Sequence, residues 1–310
     1  MTSTSSVQPI TALEVSAPQQ PAKVRVKKRG RVTLWIAVAW LSFITFLTVF
    51  GTSLGIDDPK RRVVAAKDLG KSLRPFGKFF LGTNNAGQNM WARAVYGARV
   101  SLIVGFVTIA LGLFIGGALG LTAGFYRKKV EGAIMGVVDV LLAFPALILA
   151  ILITTFLKPP GPPSYPIALR NVIVALSILS IAPFARIVRA STLVYSEREF
   201  VLAARALGAK NRRIITKEIL PNIIPQMISF AFTGTAIAIV AEGALSFLGL
   251  SVPIDKAPSW GAMIAIGRKD IEKIPHVVMV PAAFLFLTIL SFNLIGDIIA
   301  SRNQVREGGL

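Results

Sequence analysis

Long apolar runs, separated by shorter polar segments, are the dominant pattern along this chain. The hydrocarbon core of a bilayer is about 30 Å thick, and a helix that rises about 1.5 Å per residue needs about 20 apolar residues to cross it. Six runs reach that length, so the pattern predicts an all-α polytopic membrane helix bundle with six transmembrane helices. The predicted helices lie at residues 33–54, 100–125, 134–157, 172–194, 223–249 and 277–300.

Composition agrees with a membrane protein and excludes several other classes. Apolar residues make up 54% of the 310 residues. The formal charge is +19, but the basic residues stand at the ends of apolar runs rather than in a separate basic domain, so we expect no nucleic-acid partner. The chain has no cysteine and a single histidine, His276, which excludes disulfides and thiolate or multi-histidine metal sites. We therefore expect no metal site.

The first 31 residues differ from the rest of the chain. Residues 1–20 are rich in Ser, Thr, Pro and Gln, which predicts disorder, and a basic cluster follows directly before the first apolar run. That run is longer than the core of about 7 to 15 apolar residues in a cleaved signal peptide, so we expect an uncleaved helix. The predicted segments are a disordered basic cytoplasmic tail over 1–31, the first helix with an external loop over 32–99, a core domain with five transmembrane helices over 100–301, and a C-terminal tail over 302–310.

Lysine and arginine residues predict which helix ends face the cytoplasm, because these residues are enriched in cytoplasmic flanks. If the N-terminal tail is cytoplasmic, the basic segments after the second and fourth helices are cytoplasmic too. The Pro-rich segment 158–166 carries one lysine and fits an external position, whereas the basic segment 60–62 does not fit the external position that it would take. We predict a multi-pass protein of the cell membrane, in contact with lipid, with both termini cytoplasmic.

Glycine and proline predict how the helices pack and bend. Residues four apart share a helix face, and glycines on such a face let another backbone approach closely. This pattern occurs in the second predicted helix, which we expect to be buried, at Gly112, Gly116, Gly120 and Gly124. Prolines inside other predicted helices each remove a backbone hydrogen bond and predict kinks, at Pro145, Pro183 and Pro281.

The polar segment 196–225, between the fourth and fifth predicted helices, carries a short predicted helix. Glu199 near its start suits the positive end of the helix dipole, and Gly208 predicts its end. Apolar residues at helical spacing between these two positions predict an amphipathic helix with a narrow apolar stripe. The predicted stripe consists of Phe200, Ala203, Ala204 and Leu207.

A second short helix is predicted directly after the first. Asn211 is placed to cap it, and the pair Leu220 and Pro221 is expected to close it, because the residue before a proline avoids helical geometry. The two helices would form a compact element across the inner membrane face. The residues alone leave two interpretations open. Small residues on the first helix let a partner protein approach closely, or the basic element rests on lipid headgroups.

The same segment resembles the coupling loop of binding-protein-dependent ABC importers, in which Glu-Ala-Ala is followed after three residues by Gly and further on by Leu-Pro. The alanine pair, Gly208 and the Leu-Pro pair match this pattern, whereas Leu202 departs from it because the family has glutamate there. The resemblance implies that a separate ATPase docks on the loop 198–221. The residues to which it assigns coupling are Glu199, Ala203, Ala204, Arg205, Leu207, Gly208, Ala209, Leu220 and Pro221.

Further segments are similar to the C-type permease subunits of dipeptide and oligopeptide ABC importers. They lie at residues 81–105, 139–151, 244–250, 258–264 and 292–297, and the family usually carries Asp and Arg at the positions of Asn84 and Gln88. Membership would make the chain a transport subunit rather than an enzyme, with no cofactor of its own. The implied partners are a second homologous permease subunit, two ATPase subunits that bind ATP and Mg²⁺, and an extracytoplasmic substrate-binding protein that delivers peptides.

The predicted external loops contain two further patterns. Gly70, Lys71 and Ser72 imitate the end of a phosphate-binding loop, but the full pattern requires glycine where the chain has Ala65, so no ATP site is predicted. Trp260 precedes the last helix. We expect it to anchor at the membrane interface, as amphipathic aromatic side chains do, and contact with the docked binding protein is the alternative.

Three acidic residues lie in or near predicted helices, namely Asp139, Glu242 and Asp297. Burying a charge there costs several kcal/mol unless it is paired or neutral, so such residues either form an ion path or are satisfied within the bundle. We favour the structural role, with Glu242 bonded across helices and the two aspartates reaching water or basic neighbours. Two alternatives remain: a self-contained carrier driven by an ion gradient, and a membrane scaffold or assembly factor.

Overall fold

The computed structural model describes residues 29–63, 75 and 79–307, with only the helical backbone given at 29–31 and 302–307. Within these residues the chain is helical, with two isolated β-bridges and no β-strand. The predicted tail over 1–31 lies outside the described residues except for the start of the first helix. The phosphate-loop-like Gly70, Lys71 and Ser72 lie outside them entirely.

Ten α-helices follow the order of the apolar runs within the described part of the chain. They are α1 (Arg29–Phe50), α2 (Met90–Tyr126), α3 (Lys128–Ala143), α4 (Ala146–Phe156), α5 (Tyr165–Ser196), α6 (Glu199–Ala206), α7 (Asn211–Arg213), α8 (Leu220–Phe247), α9 (Trp260–Gly267) and α10 (His276–Glu307). A π-helical turn, Ile214–Ile219, joins α7 to α8, and a 3₁₀ turn, Arg268–Asp270, follows α9.

Five continuous helical stretches are long and apolar enough to cross a membrane: α1, α2, α5, α7 joined to α8, and α10. α3 and α4 make a sixth if the pair counts as one span. The predicted all-α membrane bundle is confirmed in its class and in the place of its apolar segments.

The third predicted helix, residues 134–157, is not continuous. α3 and α4 meet at an angle of 91°, so the bend predicted at Pro145 is present as a full break in the helix. Phe144 lies between them in extended geometry, with φ −85° and ψ 137°, because the ring of Pro145 excludes helical geometry from the residue before it. The other two prolines predicted to kink helices, Pro183 and Pro281, lie inside α5 and α10.

α2 begins ten residues before the predicted boundary at residue 100 and has 37 residues, which makes it about 55 Å long. Ala92, Ala94 and Ala98 in this added part are fully buried in the bundle. The apolar-run criterion missed them because Arg93 and Arg99 interrupt the run. Packing against neighbouring helices therefore extends α2 beyond the length that the membrane requires.

The glycine-bearing face of α2 lies against α5. A Cβ atom added at Gly116 would lie 2.4 Å from the carbonyl oxygen of Ile181, and one at Gly120 would lie 2.5 Å from another α5 carbonyl. Gly112 and Gly124 approach side chains of α5 just as closely. The absence of a side chain at these positions is what lets the two backbones touch, so α2 and α5 form the central pair of the bundle.

The side chain of Trp260 does not face lipid. It is fully buried at the start of α9, and its indole Nε1 donates to the carbonyl oxygen of Ala94 at 2.8 Å. The hydroxyl of Ser259 caps α9 by accepting from the N–H of Ala262. Both predictions for Trp260, interface anchor and contact with a docked protein, are therefore wrong, because α9 folds back into the bundle.

Candidate functional site

The short helix of the 196–225 segment is α6, and it ends at Gly208, where the sequence predicts its end. Gly208 has φ +77°, a conformation that glycine adopts without steric strain. Its N–H donates to the carbonyl of Arg205 at 2.9 Å, and the N–H of Ala209 donates to the carbonyl of Ala204 at 3.0 Å. These two bonds form a Schellman motif, which fixes the direction in which the chain leaves α6. Glu199 lies in the first turn, at the positive end of the helix dipole.

One side of α6 packs against the bundle. Val201 is fully buried in a cluster with Ile214 and Ile219, and Ala204 packs against the same cluster. Val201 was not part of the predicted stripe. α6 has only eight residues, so two faces fit the helical spacing and the sequence does not separate them.

The opposite side of α6 is exposed. Phe200 is 41% exposed and Leu207 is 87% exposed, and Ala203 and Gly208 are exposed beside them. Of the four predicted stripe residues, Ala204 packs against the buried cluster and the other three are exposed. The three exposed residues form an apolar surface on a helix whose other side packs against the core.

The second predicted helix does not end at Leu220. α7 continues through the π-helical turn Ile214–Ile219 into α8, and the N–H of Leu220 donates to the carbonyl five residues earlier. Pro221 follows directly after this turn, at the second position of α8. The prediction that Leu220 and Pro221 close a separate helix is therefore wrong. Asn211 is the first residue of α7 and not its cap, a position that Lys210 takes.

Arg127 links the end of α5, just before α6, to the turn between α2 and α3. Its Nη2 donates to Glu197 Oε1 at 2.8 Å and to the hydroxyl of Ser196 at 3.0 Å. Arg127 has φ 51°, an uncommon conformation for a residue other than glycine. Nearby, the guanidinium carbon of Arg205 lies 5.5 Å from the centre of the Phe125 ring, within the range of a cation–π contact. These contacts hold α6 and the residues that lead into it against the end of α2.

Two ion pairs connect α3 to α5 on the same half of the bundle. Arg189 pairs with Glu131, and Arg186 Nη2 lies 2.6 Å from Asp139 Oδ1. The first pair is partly buried, whereas both side chains of the second are more than half exposed. Asp139 therefore has a basic partner, in line with the structural role that we favoured for it.

Glu242 is fully buried and accepts hydrogen bonds from three hydroxyls. Ser246 and Ser251 donate to Oε1 at 2.7 and 2.8 Å, and Ser101, on α2, donates to Oε2 at 3.3 Å. This bonding across helices satisfies both carboxylate oxygens without a cation. Asp297 differs, because it is exposed on the last helix. The three acidic residues do not come together into one path.

Asn84 and Gln88, where the sequence departs from the family pattern, are bonded to each other. The Asn84 amide Nδ2 donates to Gln88 Oε1 at 3.0 Å, and the Gln88 N–H donates to Asn84 Oδ1 at 2.9 Å. Arg93 Nη1 donates to the same Gln88 oxygen at 2.6 Å. Two neutral amides thus close this turn beside a buried arginine.

Several residues that fix the arrangement were missed by sequence reasoning. Val201 anchors α6, Glu131 pairs with Arg189, and Ser101 and Ser251 bond Glu242. A single serine in or beside an apolar run does not indicate which residue it bonds to. Glu131 and Arg189 lie 58 positions apart, so spacing along one helix could not pair them.

Comparison with known proteins places this arrangement among transport proteins. Residues 116–305 match the sequence model of a family described as "Binding-protein-dependent transport system inner membrane component". The dipeptide transport system permease protein DppC of Alkalihalophilus pseudofirmus is 39% identical over 223 residues, which cover 72% of this chain and 70% of that protein. The glutathione transport system permease protein GsiD of Pectobacterium atrosepticum is 36% identical over 223 residues, 72% of this chain and 71% of that protein.

A further curated relative and two solved structures agree with this placement. A putative peptide transport system permease protein of Brucella suis is 42% identical over 217 residues, 70% of each chain. The inward-facing MetNI methionine ABC transporter superposes with a TM-score of 0.56 and 19% identity, over 68% of this chain and 97% of that one. An amino acid ABC transporter solved with histidines gives a TM-score of 0.52 and 19% identity, over 67% of this chain and 93% of that one. The structures show a shared fold.

Proposed function

The chain belongs to the binding-protein-dependent transport system inner membrane component family, and on this basis we propose that it forms, with a second permease subunit, the path by which an importer takes up short peptides. Membership makes it a membrane permease subunit of an ABC importer. Its substrate, its coupling residues and its orientation are the new parts of the proposal.

The coupling role rests on one observation, the exposed apolar side of α6. Leu207 is 87% exposed while Val201, on the same helix, is fully buried. Because the buried side of α6 packs against the core, a displacement of α6 by a docked protein moves the bundle as well and is not absorbed by local motion of the helix. In the proposed importer the residues of the loop 198–221 dock on an ATPase, and Phe200, Ala203 and Leu207 provide the apolar contact. This ATPase, present in two copies, binds ATP and Mg²⁺, and the permease binds no cofactor.

The peptide substrate rests on the relatives. Their printed names refer to dipeptide, glutathione and peptide transport, which have short peptides in common. An extracytoplasmic binding protein delivers such a peptide to the path between the two permease subunits.

The orientation rests on where the basic residues lie. One buried cluster joins Phe125 at the end of α2 with Val201 of α6 and Ile214 of the π-helical turn, so the basic segments around these residues lie at one end of the bundle. Lysine and arginine favour the cytoplasmic side, so we place this end and both termini in the cytoplasm. The basic residues at this end are Arg127, Lys128, Lys129, Arg198, Arg205, Lys210, Arg212, Arg213 and Lys217.

Co-purification tests the coupling role. The subunit is purified in mild detergent from cells that express the whole importer, and the bound ATPase is quantified by mass spectrometry. Leu207→Gln should reduce the bound ATPase several-fold, since a central apolar contact often contributes more than about 1 kcal/mol. Phe156→Gln is the matched control, because Phe156 is 88% exposed at the far end of α4. Its ATPase content should equal that of the wild type.

Reconstitution tests the substrate and the rival mechanism. In proteoliposomes with the partner subunits and the binding protein, a labelled dipeptide should enter only when ATP is supplied inside, and unlabelled dipeptides should compete while free amino acids should not. Uptake by the purified subunit alone, driven by an ion gradient without ATP, would show a secondary carrier and overturn the proposal.

A further inference from the structure

A groove of about 390 Å³ lies between α1 and α2, in the halves of these helices that are remote from α6. Its polar wall is formed by Thr45, Thr48 and Thr52, from α1 and the turn after it, and by Tyr96 and Arg99 from α2. The other wall is apolar. The described lining contains one positive charge and no carboxylate.

Arg99 is exposed, and within the described residues its guanidinium takes part in no ion pair and no hydrogen bond. An arginine near the end of a span extends its side chain toward the membrane surface, where the charge is satisfied by water or by an anionic partner. Its planar donors match the oxygens of a phosphate group. The hydroxyls of Thr52 and Tyr96 make no hydrogen bond to another described residue either, so both remain available to the same ligand.

The polar wall lies where α1 leaves the membrane. The apolar span of α1 is Val32–Phe50, and a Cβ atom added at Gly51, the next residue, would lie 3.5 Å from the hydroxyl of Tyr96. Tyr96 is thus level with the end of the span, where tyrosine is enriched in membrane proteins. Arg99 lies three residues further along α2, about 4.5 Å deeper, and a side chain of its length reaches back to the phosphate level.

An apolar hollow continues from this groove along α1. It has a volume of about 420 Å³ and shares Thr45 and Val49 with the groove. Phe46, Val49 and Phe106 are 51%, 64% and 52% exposed along this path. A ligand that fits both parts has an anionic head and a long apolar tail.

We propose that the groove binds one anionic phospholipid. Its phosphate lies at Arg99 and the hydroxyls of Thr52 and Tyr96, and one acyl chain leaves the groove past Val49 and follows the hollow along Phe46. A zwitterionic phospholipid carries its own cation beside the phosphate, so it gains less from Arg99 than an anionic lipid does. A free anion would satisfy Arg99 but would leave the hollow empty. The lipid adds to the contacts that α1 already makes, in which Thr48 donates to the Val95 carbonyl on α2 and Trp40 donates to Thr288 on α10.

Native mass spectrometry of the intact importer complex, released from detergent after titration with phosphatidylglycerol, tests this site. Phosphatidylcholine is titrated in a second arm, and inorganic phosphate is added as a competitor in a third. Arg99→Gln should weaken phosphatidylglycerol binding severalfold, since it removes the one positive charge in the described lining of the groove. Arg170→Gln is the matched control, since Arg170 is exposed near the start of α5 and lines no part of the groove. Tyr96→Phe, which removes one hydroxyl only, should weaken binding less than Arg99→Gln.

Three results would overturn the proposal. Equal affinity for phosphatidylcholine would show that the charge is not recognised, and displacement by inorganic phosphate would show a site for free anions. A disulfide formed in high yield between Thr52→Cys and a cysteine in the partner permease would show that protein covers the groove. The ATPase activity of each variant complex in detergent reports whether the complex is intact, so that lost binding is not confused with misfolding.

Discussion

Ser101 on α2 donates a hydrogen bond to Glu242 on α8 at 3.3 Å, although the two residues lie 141 positions apart in the chain. Ser246 and Ser251 donate to the other carboxylate oxygen, so one buried side chain joins α2, α8 and the loop that leads to α9. Bonds across helices of this kind replace part of the hydrophobic driving force that helices lack inside a membrane.

Substitution of Glu242 should affect stability more than transport. Glu242→Leu leaves three buried hydroxyls without their acceptor and should lower the free energy of unfolding by about 2–4 kcal/mol, measured by SDS titration in mixed micelles. Glu242→Gln is the control, because its amide still accepts and donates within the group, and it should lose about 1 kcal/mol or less. ATP-driven uptake should persist in Glu242→Gln. A protein with native stability but no uptake would instead identify Glu242 as an ion-coupling residue.

Gly116→Ala should destabilise the bundle, because the added methyl group would lie 2.4 Å from the Ile181 carbonyl oxygen. Overpacking at such a contact costs about 1–3 kcal/mol. Gly132→Ala on α3 is the control, since a methyl group there meets no atom within 4 Å and alanine favours the helix by up to about 1 kcal/mol. In thermal unfolding in detergent, Gly116→Ala should lower the melting temperature relative to the wild type and Gly132→Ala should raise it. Equal melting temperatures would mean that α2 and α5 can move apart to admit the methyl group with little loss of stability.

The two ion pairs between α3 and α5 should differ in strength. The side chains of Arg189 and Glu131 are 33% and 22% exposed, against 55% and 58% for Arg186 and Asp139. Solvent screens the second pair more, so double-mutant cycles should give a coupling energy of about 1–2 kcal/mol for the first and below about 0.5 kcal/mol for the second. Added salt should weaken the second pair preferentially. Equal coupling energies would contradict this ranking.

Trp260→Phe should remove the tryptophan emission that acrylamide quenches least, because the indole is fully buried. The lost hydrogen bond to Ala94 should also cost about 1 kcal/mol of stability. Trp35→Phe is the control, since the indole of Trp35 is 68% exposed on the apolar span of α1, where lipid or detergent covers it, and its loss should leave stability unchanged. If Trp260 were an interface anchor, both variants would behave alike.

The sequence predicts the parts of the fold that depend on one segment at a time. Apolar length locates the spans, glycines at every fourth position identify the face of α2 that meets α5, and Gly208 marks the end of α6 because a positive φ favours glycine. These signals depend on properties of the local chain. They do not depend on how the other segments of the chain pack.

Features that depend on distant segments could not be predicted in the same way. Val201 is buried only because Ile214 and Ile219 lie under it, and Trp260 is buried only because α9 returns to the bundle. The sharp bend at Pro145 and the continuous path through Pro221 show that one residue type ends a helix in one place and is tolerated in another. The difference at Pro221 is its position beside a wider π-helical turn.

That turn belongs to one unbroken rod. From Asn211 to Phe247 the helical path has 37 residues, with α6 resting on its Ile214 end and Glu242 about 42 Å further along. Over this separation of about 42 Å, each degree of tilt about the Ile214 end would move Glu242 by about 0.7 Å. No flexible loop lies between the two places. In the proposed importer, a displacement of α6 would be carried along this helix toward Glu242, and the π-helical turn and Pro225 are the places where bending would reduce it.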